Sequence, residues 1–390
     1  MTRIAANCRE LPRIAADRRG VLFLARSAIM TAMDIADFSY DLPPELIAQT
    51  PIEPRDSSRL LVLRRADGRI EHRHFRDIGD YLRPGDLLVA NQSRVLPARL
   101  LGVKEGSGGH AELLLLAIRN DLGPDYWEAL VRPGRRLRGG QRIVFGDGAL
   151  TAEIFDRTPA GGRIVHLAAR EGSVAETIAR VGAVPLPPYI HTPLANAERY
   201  QTVYAREPGS AAAPTAGLHF TPELLAALKA QGIGMVTVTL HIGLDTFRPI
   251  EETNLDQHVM HSEEIELDAD AAGKINATRA AGGRIVAVGT TSVRVLESVA
   301  AMTEEMRQAG DLATPDALVT PWRGRTSLFL RPGSPFRAVD VMITNFHLPR
   351  STLLVLVSAF ANREMILRAY EEAVRERYRF YSFGDAMLIL

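Results

Sequence analysis

The sequence predicts a mixed α/β fold carrying an inserted, smaller all-β barrel. Three textures predict it. Residues 33–90 and 182–390 alternate apolar strands with helical stretches. Residues 91–181 instead hold short strands recurring about every ten residues, separated by Gly- and Pro-bearing turns. Residues 340–362 read as a buried strand, a polar loop and a helix apolar on nearly every face, which belongs deep in a large core. The expected organisation is a discontinuous α/β domain, 33–90 with 182–390, interrupted by a barrel at 91–181. A chain of 390 residues has room for both.

Composition narrows the class. The chain is 46% apolar and 24% charged, as ordinary soluble proteins are. No apolar run approaches the roughly 20 residues of a membrane span, so a cytoplasmic location without membrane contact is expected. The only cysteine is Cys8. From Met33 onward, disulfides, thiolate zinc sites and a cysteine nucleophile are excluded. Residues 1–32 carry six arginines against Glu10 and Asp17, leaving 40 basic and 44 acidic residues in the remainder. A nucleic acid would therefore have to meet a local basic patch rather than a net field. Residues 1–32 make a poor signal peptide and are read as a disordered extension, with Met33 as the working start.

In order, residues 34–41 read as a short strand, and Pro43 and Pro44 start a helical turn. Residues 60–63 and 70–75 alternate as a hairpin around Gly68. Between them and the turn lie Arg55, Asp56 and Arg59, either a surface ion-pair cluster or a phosphate or ribose grip. Residues 87–90 form a buried strand ending in Asn91. Barrel strands follow at 98–103, 111–118, 126–131, 142–145, 150–155 and 163–167. Residues 131–142 hold Arg132, Arg135, Arg136, Arg138 and Arg142 and no acid. Such a run is either a solvated face or a phosphate-backbone contact.

After a stiff Pro-rich connector at 185–190, Thr221 caps a helix that Pro222 opens and Gly232 ends. Small residues before it, including Thr215 and Gly217, let backbone approach a ligand near His219. A strand at 235–240 ends in His241 and Asp245. A helix at 269–281 and a strand at 284–288 lead to Gly289-Thr290-Thr291-Ser292, whose hydroxyls and N–H groups open a helix bearing Arg294. Residues 303–314 read as a polar linker. Asn345, His347 and Arg350 occupy the polar loop before the apolar helix that Ser351 or Thr352 caps. A last helix spans 364–375.

Polar groups thus gather at strand ends, where α/β sheets bind ligands. His258, His261 and Glu263 lack the spacing of a metal site, so no metal is expected. There is no Walker loop, Gly-x-Ser-x-Gly or Gly-x-Gly-x-x-Gly. By residues alone, this is an enzyme with a polar cleft and an unspecified reaction.

Seven phrases, in order, carry a resemblance: Asp37-Phe38-x-Tyr40-Asp41-Leu42-Pro43, Pro54-Arg55-Asp56-x-Ser58-Arg59-Leu60, Arg199-Tyr200-Gln201-Thr202-Val203-Tyr204, Ala213-Pro214-Thr215-Ala216-Gly217-Leu218-His219-Phe220-Thr221, Gly289-Thr290-Thr291, Thr344-Asn345-Phe346-His347-Leu348-Pro349 and Phe383-Gly384-Asp385-Ala386-Met387. Together, from Met33 onward, they resemble the S-adenosylmethionine:tRNA ribosyltransferase-isomerase family of queuosine biosynthesis. The family's Asn-Asp-Thr-Arg-Val stands here as Asn91-Gln92-Ser93-Arg94-Val95, and Ser327 replaces an aspartate, so no charge role is assigned there.

The resemblance implies a large domain with a barrel-like sheet flanked by helices. It implies transfer of the ribosyl part of S-adenosylmethionine, as substrate and not a resident cofactor, onto 7-aminomethyl-7-deazaguanine in a tRNA anticodon. It implies tRNA as partner; a monomer is expected. Departing adenine needs a proton, and the carbon beside a sulfonium is acidic. His219 or His347 is the candidate for proton transfer. Asp245 or Glu263 would answer positive charge. Thr215, Gly217, His241, Thr290, Thr291, Arg294, Asn345, Arg55 and Arg59 are candidates for holding substrate. Arg132, Arg135, Arg136 and Arg138 would meet RNA. Two readings compete: a nucleoside-processing enzyme acting on small molecules, and a non-catalytic tRNA-binding protein.

Overall fold

The structure, a computed structural model, describes residues 33–134, 137–158, 161–243, 253–260 and 262–390. The leader 1–32, Arg135, Arg136, Asp245 and His261 lie outside them. In chain order, β1 (Arg59–Leu63) and β2 (Ile70–His74) form an antiparallel hairpin, followed by β3 (Leu87–Asn91) and the short β4 (Ser93–Val95). Six strands come next: β5 (Arg99–Lys104), β6 (His110–Ile118), β7 (Tyr126–Arg132), β8 (Arg142–Phe145), β9 (Leu150–Arg157) and β10 (Arg163–Ala169). They close into an antiparallel barrel. Helix α1 (Val174–Val181), β11 (Glu207–Ser210), α2 (Pro222–Ala230), β12 (Gly234–Leu240) and β13 (Glu263–Leu267) follow. Then come α3 (Ala269–Ala280), β14 (Ile285–Val288), α4 (Gly289–Ala309), β15 (Trp322–Thr326), β16 (Val341–Asn345), α5 (Thr352–Ala361), α6 (Arg363–Arg375) and β17 (Ala386–Ile389).

Nine strands outside the barrel form one mixed sheet in the order β15-β13-β12-β3-β14-β16-β17-β1-β2. Its centre, β12-β3-β14-β16, is parallel. Parallel strands are buried on both faces, and β3, β14 and β16 are buried along their whole length, whereas β12 alternates Val and Thr. In β1, Leu61 and Leu63 enter one core while Leu60 and Val62 enter the other. The barrel has a separate core of inward-facing residues, among them Leu100, Leu113, Ile143 and Val165. No helix of the described residues is long and apolar enough to cross a membrane.

All six barrel strands stand where alternation placed them. Several other expectations need correction. Residues 35–38 form a 3-10 turn rather than a strand, because the Asp34 side chain accepts from Ala36 N at 2.8 Å and caps it. Helix α1, within the stretch read as all-β, follows from a capping box: Ser173 and Glu176 satisfy each other's backbone N–H groups. Helix α4 takes in Gly289 to Ser292 at its start and Thr303 to Ala309 at its end, residues read as loop. Strands β4, β11, β15 and β17 come from segments with no strand assignment in the sequence reading.

Buried polar groups pin the sheet's central connections. Glu297 of α4 accepts from the backbone N of Arg337, Ala338 and Val339 at 2.7, 3.0 and 3.0 Å. This holds the entry to β16, and so the position of Asn345 at its end. Asn91 at the end of β3 bonds the backbone of Leu240 in both directions, which locks β3 to β12.

Candidate active site

The carboxyl ends of the parallel strands β12, β3, β14 and β16 lie side by side in that order, and a cleft of about 760 Å³, counted to its mouth, opens above them. Such strand ends are where open α/β sheets bind ligands. Thr290 and Thr291 enter from the first turn of α4, directly after β14. Gly289 makes that sharp entry possible: its φ is +86°, in the region L side chains avoid. Val288, at the N-cap of α4, has no side chain that can accept, which leaves the helix's first N–H groups uncapped by it. Asn345 ends β16, and His347 stands on the loop to α5, which Ser351 caps by accepting from Leu354 N. Thr215 comes from the 3-10 turn Thr215–His219. Tyr189, Tyr200, Phe346 and Tyr381 make the apolar walls.

His347 Nε2 bonds the Thr344 hydroxyl at 2.8 Å, and its backbone is gripped by Tyr370 and Tyr40. Burial pushes its pKa down to about 3. His219 is buried and stacked on Phe75, with ring centroids 4.9 Å apart. Its Nδ1 meets the Ser58 hydroxyl at 2.8 Å. Burial lowers it to about 4, against a favourable contribution from the Asn345 amide and with Arg379 and Arg55 adding to the depression. Both rings are therefore neutral at pH 7. They offer a lone pair and an N–H but no positive charge.

Asn345 links the two histidines' surroundings. Its Nδ2 donates to Tyr381 O at 2.9 Å, which turns Oδ1 away from that carbonyl. Asn345 Oδ1, His219 Nε2, Thr291 Oγ1 and Tyr200 Oη are all buried without a direct hydrogen bond among the described residues. Buried polar atoms seldom stay unpaired. Three of these four residues line the cleft, which marks it as a place where a polar ligand completes the bonding.

A cleft of hydroxyls, one amide and aromatic walls suits a nucleoside. The sequence profile of a family described as queuosine biosynthesis protein matches residues 35–389. A protein of Symbiobacterium thermophilum described as S-adenosylmethionine:tRNA ribosyltransferase-isomerase is 57% identical over 358 residues, 92% of this chain and all of that protein. One from Moorella thermoacetica with the same description is 55% identical over the same shares. A crystal structure of S-adenosylmethionine tRNA ribosyltransferase from Thermotoga maritima is 40% identical, covers 91% of this chain and all of that one, and superposes with a TM-score of 0.49. The chain belongs to the S-adenosylmethionine:tRNA ribosyltransferase-isomerase family. It is an enzyme of that family.

Within this ribosyltransferase-isomerase, the candidate residues divide into three groups. Thr215, Thr290, Thr291, Asn345 and His347 line the one cleft, and His219 lies against it. A second group is brought elsewhere. Gly217 is packed so that a Cβ would sit 2.0 Å from Tyr204 Oη, which explains the glycine without a ligand. His241 faces a different groove, beside Glu264, Glu266 and Arg323. Arg59 donates to Glu376 O at 2.6 Å and lies over the Tyr378 ring at 3.8 Å. Glu263 was expected to answer positive charge and Arg294 to hold substrate; they answer each other in a buried ion pair. Unpaired charges are too costly to bury, and burial still lowers Arg294 to about 10. His258 packs edge-on against Phe329. The third group lies outside the cleft: Arg132 and Arg138 are exposed on the barrel, and Arg55, from the turn before β1, borders a smaller cavity behind His219.

Sequence reasoning missed Tyr189, Tyr200, Tyr381, Ser382 and Ser58. Tyr200 and Ser58 stand inside the quoted phrases, but a single aromatic or serine carries no signal of its own. The Tyr189–Ser382 hydroxyl bond of 2.8 Å spans 193 residues of chain.

Proposed function

We propose that this enzyme transfers and isomerises the ribosyl moiety of S-adenosylmethionine onto 7-aminomethyl-7-deazaguanine in a tRNA anticodon, giving epoxyqueuosine and releasing adenine and methionine. The observation that carries the site assignment is the convergence of Thr215, Thr290, Thr291, Asn345 and His347 from three separated segments on one cleft. The aromatic walls hold adenine. The hydroxyls of Thr290 and Thr291 and the amide of Asn345 hold the ribose. His347 accepts a proton from the carbon beside the sulfonium and returns one to the departing adenine. Its neutrality before reaction is a requirement of that shuttle. His219 acts through Asn345, one contact further back. The exposed Arg132 and Arg138, with Arg135 and Arg136, hold the RNA backbone.

Incubation with S-adenosylmethionine and tRNA bearing the precursor base, followed by mass analysis of the nucleosides, tests the reaction. Unmodified tRNA with no adenine release would refute it. Equal activity on the free base would favour small-molecule processing. Replacing His219 and His347 in turn tests the roles; undiminished adenine release in both variants removes them.

A further inference from the structure

Behind His219, away from the cleft, lies a smaller cavity of about 250 Å³. Arg55, Arg199, His219 and Ser382 line it, and Ser382 also lines the cleft, so the two spaces share a wall. Arg55 donates to Leu218 O at 3.2 Å and Glu198 O at 2.9 Å, and forms no ion pair with a carboxylate among the described residues. Burial first, and Arg199 second, lower its guanidinium to about 10. Arg199 donates to Ile52 O at 2.7 Å and pairs with Glu53, whose side chain is 67% exposed at the rim. Arg379 stands behind the wall, donating to the carbonyls of Thr50 and Phe383, with Asp385 held against its backbone N–H. Glu198 is paired outward with Arg94. Among the described residues the lining itself thus holds two guanidiniums and a neutral, buried imidazole, with no carboxylate.

We propose that this cavity seats an RNA backbone phosphate, the one flanking the nucleotide whose base enters the cleft. The proposal rests on the ribosyl-transfer reading above. A base drawn out of its stack into a pocket leaves its own phosphates at the pocket's edge. Phosphate contacts set register and orientation, and base contacts specify. A guanidinium presents paired N–H groups that match phosphate oxygens. Carbonyl acceptors on Arg55 and Arg199 hold each fork in place before a ligand arrives. The same oxyanion chemistry would serve the carboxylate of the methionine part of S-adenosylmethionine, and the test separates the two.

The test uses the full-length enzyme, tRNA bearing the precursor base and a series of salt concentrations, with S-adenosylmethionine binding measured separately by calorimetry. Arg55→Gln is expected to weaken tRNA binding about tenfold, a loss typical of one charge-assisted contact. The slope of log affinity against log salt should fall by about 0.7, one single-strand phosphate contact. S-adenosylmethionine affinity should stay within about twofold. Arg55→Lys keeps the slope and recovers part of the affinity. If Arg55→Gln does not fold, inorganic phosphate at constant ionic strength should displace tRNA from the unaltered enzyme without displacing S-adenosylmethionine. Weaker S-adenosylmethionine binding with unchanged tRNA binding would assign the cavity to the methionine carboxylate and overturn the proposal. No change in either ligand would overturn it too. These readouts are binding constants, so a wild-type enzyme that binds tRNA without releasing adenine would sink the reaction and leave this test standing.

Discussion

In the nine-stranded sheet, whole strands disappear from solvent; in the barrel, every second residue stays wet. All five residues of β3 and of β16 are buried, whereas β6 alternates buried and half-exposed positions along most of its length. The sheet's dry ends hold polar side chains with few competing partners, and burial keeps His219 and His347 neutral. The barrel's outer face has no such protection. It carries Arg132 and Arg138 beside exposed Leu101, Val103 and Phe155. Water sets the difference. Chemistry that depends on desolvated groups belongs above the sheet, and long-range attraction to a polyanion works from a wet surface.

Perturbing each half should break different observables. The largest effect is expected for His347→Ala, which should cut adenine release by about 10²–10⁴-fold, the range of a lost proton-transfer group. Single-turnover assays measure it. A barrel variant with an equal loss of adenine release at saturating tRNA would erase the contrast.

Acid should strike the sheet next. The His219 ring falls from 6.5 to about 4 on folding, so the unfolded chain binds a proton that the folded one refuses between those values. Stability is full above pH 6.5 and falls as pH drops toward 4, by on the order of 3 kcal/mol from this ring alone. Denaturant melts at pH 7, 5.5 and 4.5 would show it. His219→Asn should reduce that dependence, leaving the part that His347 contributes, and an unchanged slope would contradict the assignment.

Glu297→Ala should destabilise by roughly 2–3 kcal/mol, because three backbone N–H groups, two of them buried, lose their acceptor. Chemical melts report this, and a neutral result would mean the loop before β16 re-pairs with water. Ser58→Ala removes one hydrogen bond to His219, a change of about 1 kcal/mol. It should lower turnover several-fold and shift the acid limb of the rate profile, with little effect on the Michaelis constant for tRNA. The smallest effect belongs to the barrel. Arg132→Ala should raise that constant a few-fold and reduce its salt slope by about 0.7, leaving turnover at saturation intact.

The two regions also differ in how far they could be read in advance. Alternation is a local signal, so all six barrel strands were legible one by one. Helix α1 was missed although Ser173 and Glu176 spell its capping box. Strand β17 is only four buried residues, Ala386–Ile389, and a run that short looks the same in a helix or a tail. Strand β15 is an edge strand whose alternate residues Arg323 and Arg325 are exposed, which reads as loop.

Sequence alone determined the textures, the caps and the phrases that carry Thr290, Asn345 and His347 to strand ends, because each depends on neighbours a few residues apart. Tertiary structure decided which groups share a cleft. It set Glu263 against Arg294, and Gly217 against Tyr204. It placed Ser58 on His219 across 161 residues. A buried charge or hydroxyl takes whichever partner the packing brings within about 3 Å, and that choice is made in space, where distance along the chain has no weight.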